Sequence, residues 1–180
     1  NIQLHEQMRE RERDAHLQAT LYKIAELTNA QKSDAEFYQE LHHAVSEVIN
    51  AENFYIALLS EDGSRLLFQY SVDAAEEIRS ERPFGKGMSE YVIRSGHTVL
   101  IDAAGVRALV ASGEVDAQRN TQPASSWLGA PLLGSAGALG VVVVQSYHDD
   151  RLYSSKDADI LTFVSHQIAS SLERRKQAEA

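Results

Sequence analysis

The segment SSWLGAPLLGSAGALGVVVVQSYH, residues 125–148, constrains the fold more than any other stretch of this chain. Its two apolar runs, joined by the small residues 134–137, predict an antiparallel hairpin. A hairpin with one solvent face alternates apolar and polar residues, whereas residues 139–144 are almost all apolar. Both faces of the second strand must therefore be covered, and the strand ends in the polar side chains of Gln145, Ser146 and Tyr147.

The two-residue period of a strand divides these side chains between two faces. One face of the second strand takes Leu139, Val141, Val143, Gln145 and Tyr147, and the other takes Val142, Val144 and Ser146. An earlier strand divides in the same way into Tyr55, Ala57 and Leu59 against Phe54, Ile56 and Leu58. The pattern leaves open which set faces helices and which set faces a cavity.

Composition limits the class of protein. The 180 residues include 26 acidic and 17 basic side chains, a net charge of −9 that argues against a general nucleic-acid binder. The chain has no cysteine, which excludes disulfides and thiol nucleophiles and fits a cytoplasmic location. It begins with Asn1 rather than methionine, and we expect it to be part of a longer protein.

Both ends of the chain predict long helices with apolar stripes. Near the start, Leu17, Leu21, Ile24 and Thr28 follow heptad spacing, and near the end Leu161, Val164, Ile168 and Leu172 form a second stripe. Two interpretations stay open. The helices are either amphipathic and packed on the domain, or they form a parallel coiled-coil homodimer. The homodimer would use Leu17, Leu21, Ile24, Leu161, Val164 and Ile168.

The middle of the chain alternates strands with short helices. Ser33 with Glu36, and Ser154 with Asp157, are capping boxes that open helices, and Gly96 stops a short one. We predict helices from residue 33 to about 50, over 89–94 and over 103–112, and a last helix after Ser154. Strands are predicted over 54–59, 66–72 and 98–101, with a loop at 83–87 and a polar loop at 113–126. The pattern is that of an α+β fold.

Five segments resemble the GAF domains of bacterial signalling proteins. They are FYIALLSEDGSRLLFQYSVD (54–73), PFGKGMSEYVIRSGHTVLI (83–101), SSWLGAPLL (125–133), GALGVVVVQSY (137–147) and LTFVSHQIASSLERR (161–175). Together they match the family's order and spacing over about residues 20–173. The resemblance implies a central antiparallel sheet of five or six strands with the terminal helices on one face. Short helices and loops would form a ligand cavity on the other face.

The resemblance also implies an organisation and a function. An N-terminal signalling helix would occupy residues 1–30, the GAF domain residues 31–172, and the start of a linker helix residues 173–180. Such modules lie upstream of diguanylate cyclase, cyclic-di-GMP phosphodiesterase or histidine kinase domains. We expect a small-molecule sensor that signals through dimeric terminal helices; the alternative is a ligand-free dimerisation and relay module.

The sequence lacks residues that several known GAF subclasses need for binding or catalysis, and this limits the ligands and reactions that we expect. The Asn-Lys dipeptide of cyclic-nucleotide-binding members is absent, as is the cysteine required for covalent bilin attachment and for methionine sulfoxide reduction. Isolated histidines such as His97 and His148 give little support for haem or iron. We therefore predict no catalytic residues, no metal and no cofactor, and no partner among nucleic acids or membranes.

The predicted ligand site draws on large side chains at loops and strand ends that the terminal helices cannot all cover. They are Tyr70, Phe84, Met88, Tyr91, Trp127, Gln145 and Tyr147. Arg79, Arg82, Lys86 and Arg94 surround them and favour an anionic or strongly polar ligand, although four nearby glutamates could neutralise these charges. An open alternative is that the polar groups satisfy one another and the cavity is filled by its own side chains.

Overall fold

The computed structural model describes residues 2–27, 32–73, 81–117 and 123–179. Its elements are α1 (Ile2–Leu27), α2 (Asp34–Ser46), β1 (Asn53–Leu59), β2 (Arg65–Val72), β3 (Glu81–Pro83), α3 (Met88–Ser95), β4 (Val99–Asp102), α4 (Ala103–Ala111), β5 (Ser126–Gly134), β6 (Gly137–Ser146) and α5 (Ser155–Glu179). Among these residues, no helix is long and apolar enough to cross a membrane.

The strands form one antiparallel sheet in the order β3-β2-β1-β6-β5-β4. The predicted α+β class and the central antiparallel sheet of five or six strands are confirmed, and the sheet has six. The apolar strand β6 lies in the middle of the sheet, between β1 and β5, which explains why both of its faces are apolar. The edge strand β3 was not predicted; its three residues pair with β2 from Arg65–Pro83 to Leu67–Glu81.

The helix boundaries follow the capping signals. Ser33 Oγ accepts the Glu36 amide, and Ser154 Oγ accepts the Asp157 amide, each at 3.3 Å. Asp102 caps α4 by accepting the Gly105 amide at 2.7 Å. Gly96 ends α3 in the left-handed conformation, with φ +71°, which glycine adopts without strain.

The helices α1, α2 and α5 cover one face of the sheet, which we call the first face, and bury the larger core. Ile24, Leu161, Val164 and Ile168 are fully buried there, and Leu17 and Leu21 are half-buried against it. These six side chains, predicted to form a dimer seam, therefore pack inside a single chain as the amphipathic alternative expects. The fourth position of the N-terminal stripe, Thr28, lies outside the described residues. Dimerisation itself stays a prediction.

The opposite, second face carries a smaller core under α3 and α4. It contains Ala57, Leu66, Met88, Val92, Val106, Val115, Trp127, Val141 and Val143. The open question about the strand faces is thereby answered: Phe54, Ile56, Val142 and Val144 face the long helices, and Ala57, Val141 and Val143 face the short ones.

Two irregularities in strand pairing move residues from the face that strict alternation predicts. The β5–β6 register shifts between Leu132 and Leu133, so Leu139 packs against the first core and not beside Val141. The β1–β2 register shifts between Ile56 and Ala57, and Tyr70 pairs with Ile56. Tyr70 therefore lies on the first face, because a β-bulge reverses the alternation beyond it.

Candidate functional site

Trp127 and Gln145 form a directly opposed pair at one end of the β5–β6 hairpin, on the second face. Each residue is 5% exposed. The indole of Trp127 lies along β5 above Gly129, where a Cβ would overlap its Cη2 atom. Gly129 therefore supplies the space that lets this ring lie flat on the sheet.

A carboxylate joins this pair from β2. Asp73 accepts a hydrogen bond of 2.6 Å from the Gln145 amide and bonds of 3.1 and 3.2 Å from the Tyr147 hydroxyl. The amide of Asn53 donates to the Gln145 carbonyl at 3.0 Å. Asp73 was not among the predicted site residues. Val72 of β2 pairs with Phe54 of β1, so the next residue, Asp73, comes opposite Asn53. Asn53 in turn pairs with Gln145 of β6, and knowledge of this register would have placed Asp73 beside both residues.

A second polar contact joins the sheet to α3. The Tyr55 hydroxyl lies 2.6 Å from Ser89 Oγ, and Ser89 is 1% exposed. The Tyr55 ring lies 5.6 Å from that of Phe68 on the neighbouring strand. This contact fixes the first turn of α3 over the second face, and the sequence offered no local signal for it.

An ion pair buried beneath the 83–87 loop fixes the loop itself. Arg82 Nη2 donates to Glu90 Oε1 at 2.5 Å, and Glu90 is fully buried. The other carboxylate oxygen of Glu90 accepts the Gly85 amide at 3.0 Å. The pair lies so close to Gly87 that a Cβ there would approach both partners to 2.8 Å.

The basic residues predicted to attract an anion are largely occupied. Arg82 is neutralised by Glu90, and its guanidinium lies over the Phe68 ring at 5.3 Å. Arg94 donates to the carbonyls of Gly85 and Glu114, both at 3.1 Å. Lys86 is exposed, and Arg79 lies outside the described residues. Asp73 places a carboxylate at this end of the hairpin, bound by Gln145 and Tyr147.

The structure brings six of the seven predicted site residues to the second face. Met88 and Trp127 belong to its core, Phe84 and Tyr91 pack against it half-buried, and Gln145 and Tyr147 join through Asp73. The placement of Tyr70 with them is wrong. Its hydroxyl lies 2.7 Å from His42 Nδ1, and its ring lies 5.9 Å from Phe54 on the first face.

The His42–Tyr70 contact has a defined direction. His42 Nε2 lies 2.6 Å from the Ala51 carbonyl, which can only accept, so in the neutral imidazole Nδ1 accepts from the Tyr70 hydroxyl. Burial raises the pKa of Tyr70 above its ordinary value. The contact stabilises Tyr70 on the first face, where the β-bulge has placed it.

The described part of the chain shows no metal-binding cluster, and a groove lies on its first face. No group of three or more His, Cys, Asp or Glu side chains is placed there to hold a metal ion. The groove, of about 580 Å³ between α1 and α2, includes Lys23, Leu27 and His43 in its lining. It is open to solvent and lies on the opposite side of the sheet from the Trp127–Gln145 pair.

Two contacts fasten the end of α5 to the rest of the domain. Glu173 accepts the amide of Ser135 at 2.6 Å and its hydroxyl at 3.1 Å, at the β5–β6 turn. A Cβ on Gly134 would overlap the same carboxylate, so the turn is shaped to admit it. Arg175 donates to the Lys32 carbonyl at 2.8 Å and to Asp34 at 2.9 Å, with its guanidinium over the Phe37 ring.

Comparison with solved structures shows which known proteins have a similar fold. The chain is similar to residues 122–287 of a methyl-accepting chemotaxis protein, with a TM-score of 0.72, 17% identity, and coverage of 87% of this chain and 99% of that one. It is also similar to the GAF domain of an Acinetobacter phosphoenolpyruvate-protein phosphotransferase, with a TM-score of 0.70, 18% identity and coverage of 88% and 93%.

A third neighbour is an enzyme. The free methionine-R-sulfoxide reductase of Neisseria meningitidis, in complex with its substrate, matches with a TM-score of 0.69 and 17% identity, covering 90% of this chain and 91% of that one. No curated protein matches the chain. At these identities the neighbours establish the fold alone. The family model for the GAF domain, however, matches residues 31–173, and the chain therefore belongs to the GAF domain family.

Proposed function

We propose that this GAF domain senses a small molecule on its second face and transmits the signal through dimeric terminal helices to an output domain. The observation that carries the proposal is the β5–β6 hairpin. It holds Trp127 and Gln145 at one end and, at its turn, Ser135, which binds Glu173 of α5. A ligand that shifts the hairpin would thus act directly on the helix that leads out of the domain.

The chemistry of the second face favours a ligand with an apolar body and hydrogen-bond donors. Trp127, Phe84 and Tyr91 supply aromatic surface, while Asp73 supplies carboxylate oxygens that are held in place by Gln145 and Tyr147. Sites for small ligands commonly combine apolar walls with a few fixed polar groups. The expectation of an anionic or strongly polar ligand keeps only the exposed Lys86 among the described basic residues predicted to surround the site, because Arg82 and Arg94 already have protein partners.

We further propose that the domain is regulatory and not itself an enzyme. Its fold is shared with methionine sulfoxide reductases, but the chain contains no cysteine to supply a thiolate nucleophile. Catalysis would belong to an output domain such as a diguanylate cyclase, a cyclic-di-GMP phosphodiesterase or a histidine kinase. The likeness in fold to a methyl-accepting chemotaxis protein and to the GAF domain of a phosphoenolpyruvate-protein phosphotransferase supports a signalling context. A cytoplasmic setting stays a prediction.

The alternative function is a ligand-free dimerisation and relay module. It is favoured by the low exposure of Ser89, Trp127 and Gln145, which already have packing or hydrogen-bond partners in the chain. In that case the polar cluster would only stabilise the sheet end.

Ligand binding is testable through Trp127, because it is the only tryptophan of the chain. A panel of small polar and cationic molecules should contain one that changes Trp127 fluorescence and raises the melting temperature. Asp73→Asn and Tyr147→Phe should weaken that response. Tyr70→Phe, which removes a phenol from the opposite face, is the control and should retain it. The relay module would be favoured if the fluorescence and melting-temperature changes were the same in the Asp73→Asn variant. It would also be favoured if no molecule of the panel gave a response.

Transmission is testable at the Glu173 contact. A spin label on Gln177→Cys, near the end of α5, should change its distance to the partner's label when the ligand binds. Adding Glu173→Ala should reduce this change while the Trp127 fluorescence response is retained. Equal distance changes with and without Glu173 would show that the hairpin turn does not carry the signal.

A further inference from the structure

The groove between α1 and α2 on the first face has the size and the lining of a small-molecule site. The described residues that line it come from the end of α1 and the start of α2; they are Lys23, Leu27, Lys32, Gln39, Glu40 and His43. Its volume of about 580 Å³ falls in the range of roughly 300–1,000 Å³ that is common for such sites. The sheet separates the groove from Trp127, which belongs to the core of the second face.

The charge of the groove lining is opposite in sign to that of the chain. The described lining contains two lysines and one glutamate, whereas the whole chain has 26 acidic and 17 basic side chains. A concave surface of one charge raises the local concentration of ligands of the other charge. The lining therefore favours an anionic occupant.

The two lysines of the lining differ in how firmly the chain binds them. Lys32 forms a close ion pair with Glu40, which neutralises the carboxylate among the described lining residues. Lys23 lies 3.9 Å from Glu47, a long contact, and its side chain is 54% exposed. Because an ammonium group has three hydrogen atoms to donate, Lys23 keeps the capacity to bind an anion from solvent.

Two further polar side chains of α2 face the groove. Gln39 and His43 are exposed, and neither side chain has a hydrogen bond or ion pair to another described residue. They are four residues apart and therefore share one face of α2. His43 also lies one turn before Glu47, the partner of Lys23, so Lys23 and His43 lie at the same end of the groove.

The apolar part of the groove is small. Leu27 is the one apolar residue among the described lining residues, and it is half-buried against the first core. A helix of another protein would need several apolar contacts along the groove, which one leucine does not supply. The methylene groups of the lysines extend this surface enough for a compact apolar body.

We propose that this groove binds a small organic acid, which is a carboxylate on a compact apolar body. The carboxylate binds at the end that holds Lys23 and His43, and the apolar body lies on Leu27. Because both helices contribute to the lining, the bound acid joins the end of α1 to α2. This inference goes beyond the proposed function, since it adds a second ligand site on the other face of the sheet.

Benzoate and benzamide test the proposal, because they have nearly the same shape and differ in charge. NMR titration of the His43 ring, assigned with the His43→Gln variant, measures the binding of both at constant ionic strength. Benzoate should bind about fivefold more tightly than benzamide, the upper end of what an exposed ion pair contributes. Equal affinities, or no change of the His43 signals at millimolar benzoate, would overturn the proposal.

Lys23→Gln tests the residue that receives the carboxylate. It should weaken benzoate binding by about threefold or more and leave benzamide binding unchanged. Lys156→Gln is the matched control, because Lys156 is an exposed lysine at the start of α5. An equal loss in both variants would show that benzoate responds to the overall charge of the chain and not to the groove.

Trp127 fluorescence distinguishes this site from the one proposed on the second face. Benzoate in the groove should leave the fluorescence unchanged, and it should bind the Asp73→Asn variant as tightly as the wild type. A change in Trp127 fluorescence that Asp73→Asn abolishes would place benzoate on the second face and contradict the proposal. Failure of the groove site and failure of the proposed function are therefore distinguishable.

Discussion

Gly129 determines where the indole of Trp127 lies. The ring occupies the space above this glycine, and a Cβ there would crowd three of its carbon atoms. The requirement is for volume, since Gly129 has no positive φ. A single missing methyl group thus positions the largest side chain of the second face.

Gly129→Ala is expected to displace the Trp127 ring. The domain should lose about 1–3 kcal/mol in its free energy of unfolding, the usual cost of overpacking, and the fluorescence of Trp127 should change in the folded state. Urea unfolding followed by fluorescence measures both effects. The control is Gly85→Ala, where a Cβ meets nothing closer than 3.6 Å. Native fluorescence and stability in the Gly129→Ala variant would show that the ring position does not depend on this space.

The buried side chains of Tyr38 and Tyr153 predict how the stability of the domain depends on pH. Burial, with a smaller contribution from Asp34, raises the pKa of Tyr38 to about 12, and burial also raises that of Tyr153. Because the folded pKa of Tyr38 exceeds the ordinary value of 10.0, the folded state favours the neutral phenol. The contribution of the neutral Tyr38 phenol to the free energy of unfolding is fully present below pH 10 and is lost as the pH rises towards 12.

The free energy of unfolding should therefore fall between about pH 8 and about pH 11, and Tyr38→Phe should make this fall smaller. Urea unfolding at the two pH values measures the difference. Tyr22→Phe is the control, because it removes the hydroxyl of an exposed tyrosine and should leave the pH dependence unchanged. If the wild type and the Tyr38→Phe variant lose the same stability, ionisation of Tyr38 does not contribute.

At the scale of elements, α5 is held at its end by contacts to two different elements. Glu173 binds the β5–β6 turn, and Arg175 binds the start of α2 through the Lys32 carbonyl, Asp34 and the Phe37 ring. The planar guanidinium makes these contacts together, and its side chain is only 21% exposed.

Arg175→Ala should lower the free energy of unfolding by about 1–2 kcal/mol, because it removes the partner of the Lys32 carbonyl and uncovers Phe37. Arg175→Lys keeps the charge but not the planar fork, and it should recover less than half of the loss. Thermal and urea unfolding measure both variants. Full recovery by lysine would show that only the charge matters at this position.

The elements themselves were mostly predictable, and the exceptions have local physical causes. Caps at Ser33 and Ser154 and the glycine stop at Gly96 act within a few residues, so the sequence displays them. The three residues of β3 are too few to show a period, and a β-bulge such as that before Tyr70 leaves no mark in the alternation. For the terminal stripes, three or four positions cannot distinguish a helix packed on its own domain from a coiled coil.

Most large side chains of the second face were predictable, with Tyr70 the exception, but the polar contacts of that face were not. Phe84, Met88, Tyr91 and Trp127 could be chosen because bulky residues at loops and strand ends must be covered. Tyr55 and Ser89 could not, and Asp73 can be placed only once the strand register is known, because their hydrogen bonds join positions 34 to 74 residues apart in the chain. Such partners depend on strand register and helix placement, which only the folded chain defines.

At the scale of the whole molecule, the sheet separates two cores of unequal size. Among the residues that the structure describes, twenty-one buried residues belong to the core under α1, α2 and α5, and nine belong to the core under α3 and α4. The covering helices differ as well: α3 and α4 have eight and nine residues, whereas α5 has 25.

This inequality has a consequence for how the molecule opens. Short helices over a small core can detach while the sheet and the long helices stay folded, because local opening costs less than global unfolding. Backbone amides of α3 and α4 should then exchange with deuterium faster than those of α2, β6 and the middle of α5, which mass spectrometry can measure. Equal rates of deuterium exchange in the helices on the two faces of the sheet would contradict separate opening of α3 and α4. If protection is unequal, a molecule from solvent would reach Trp127 when the layer of short helices separates briefly, while the layer of long helices keeps the domain folded.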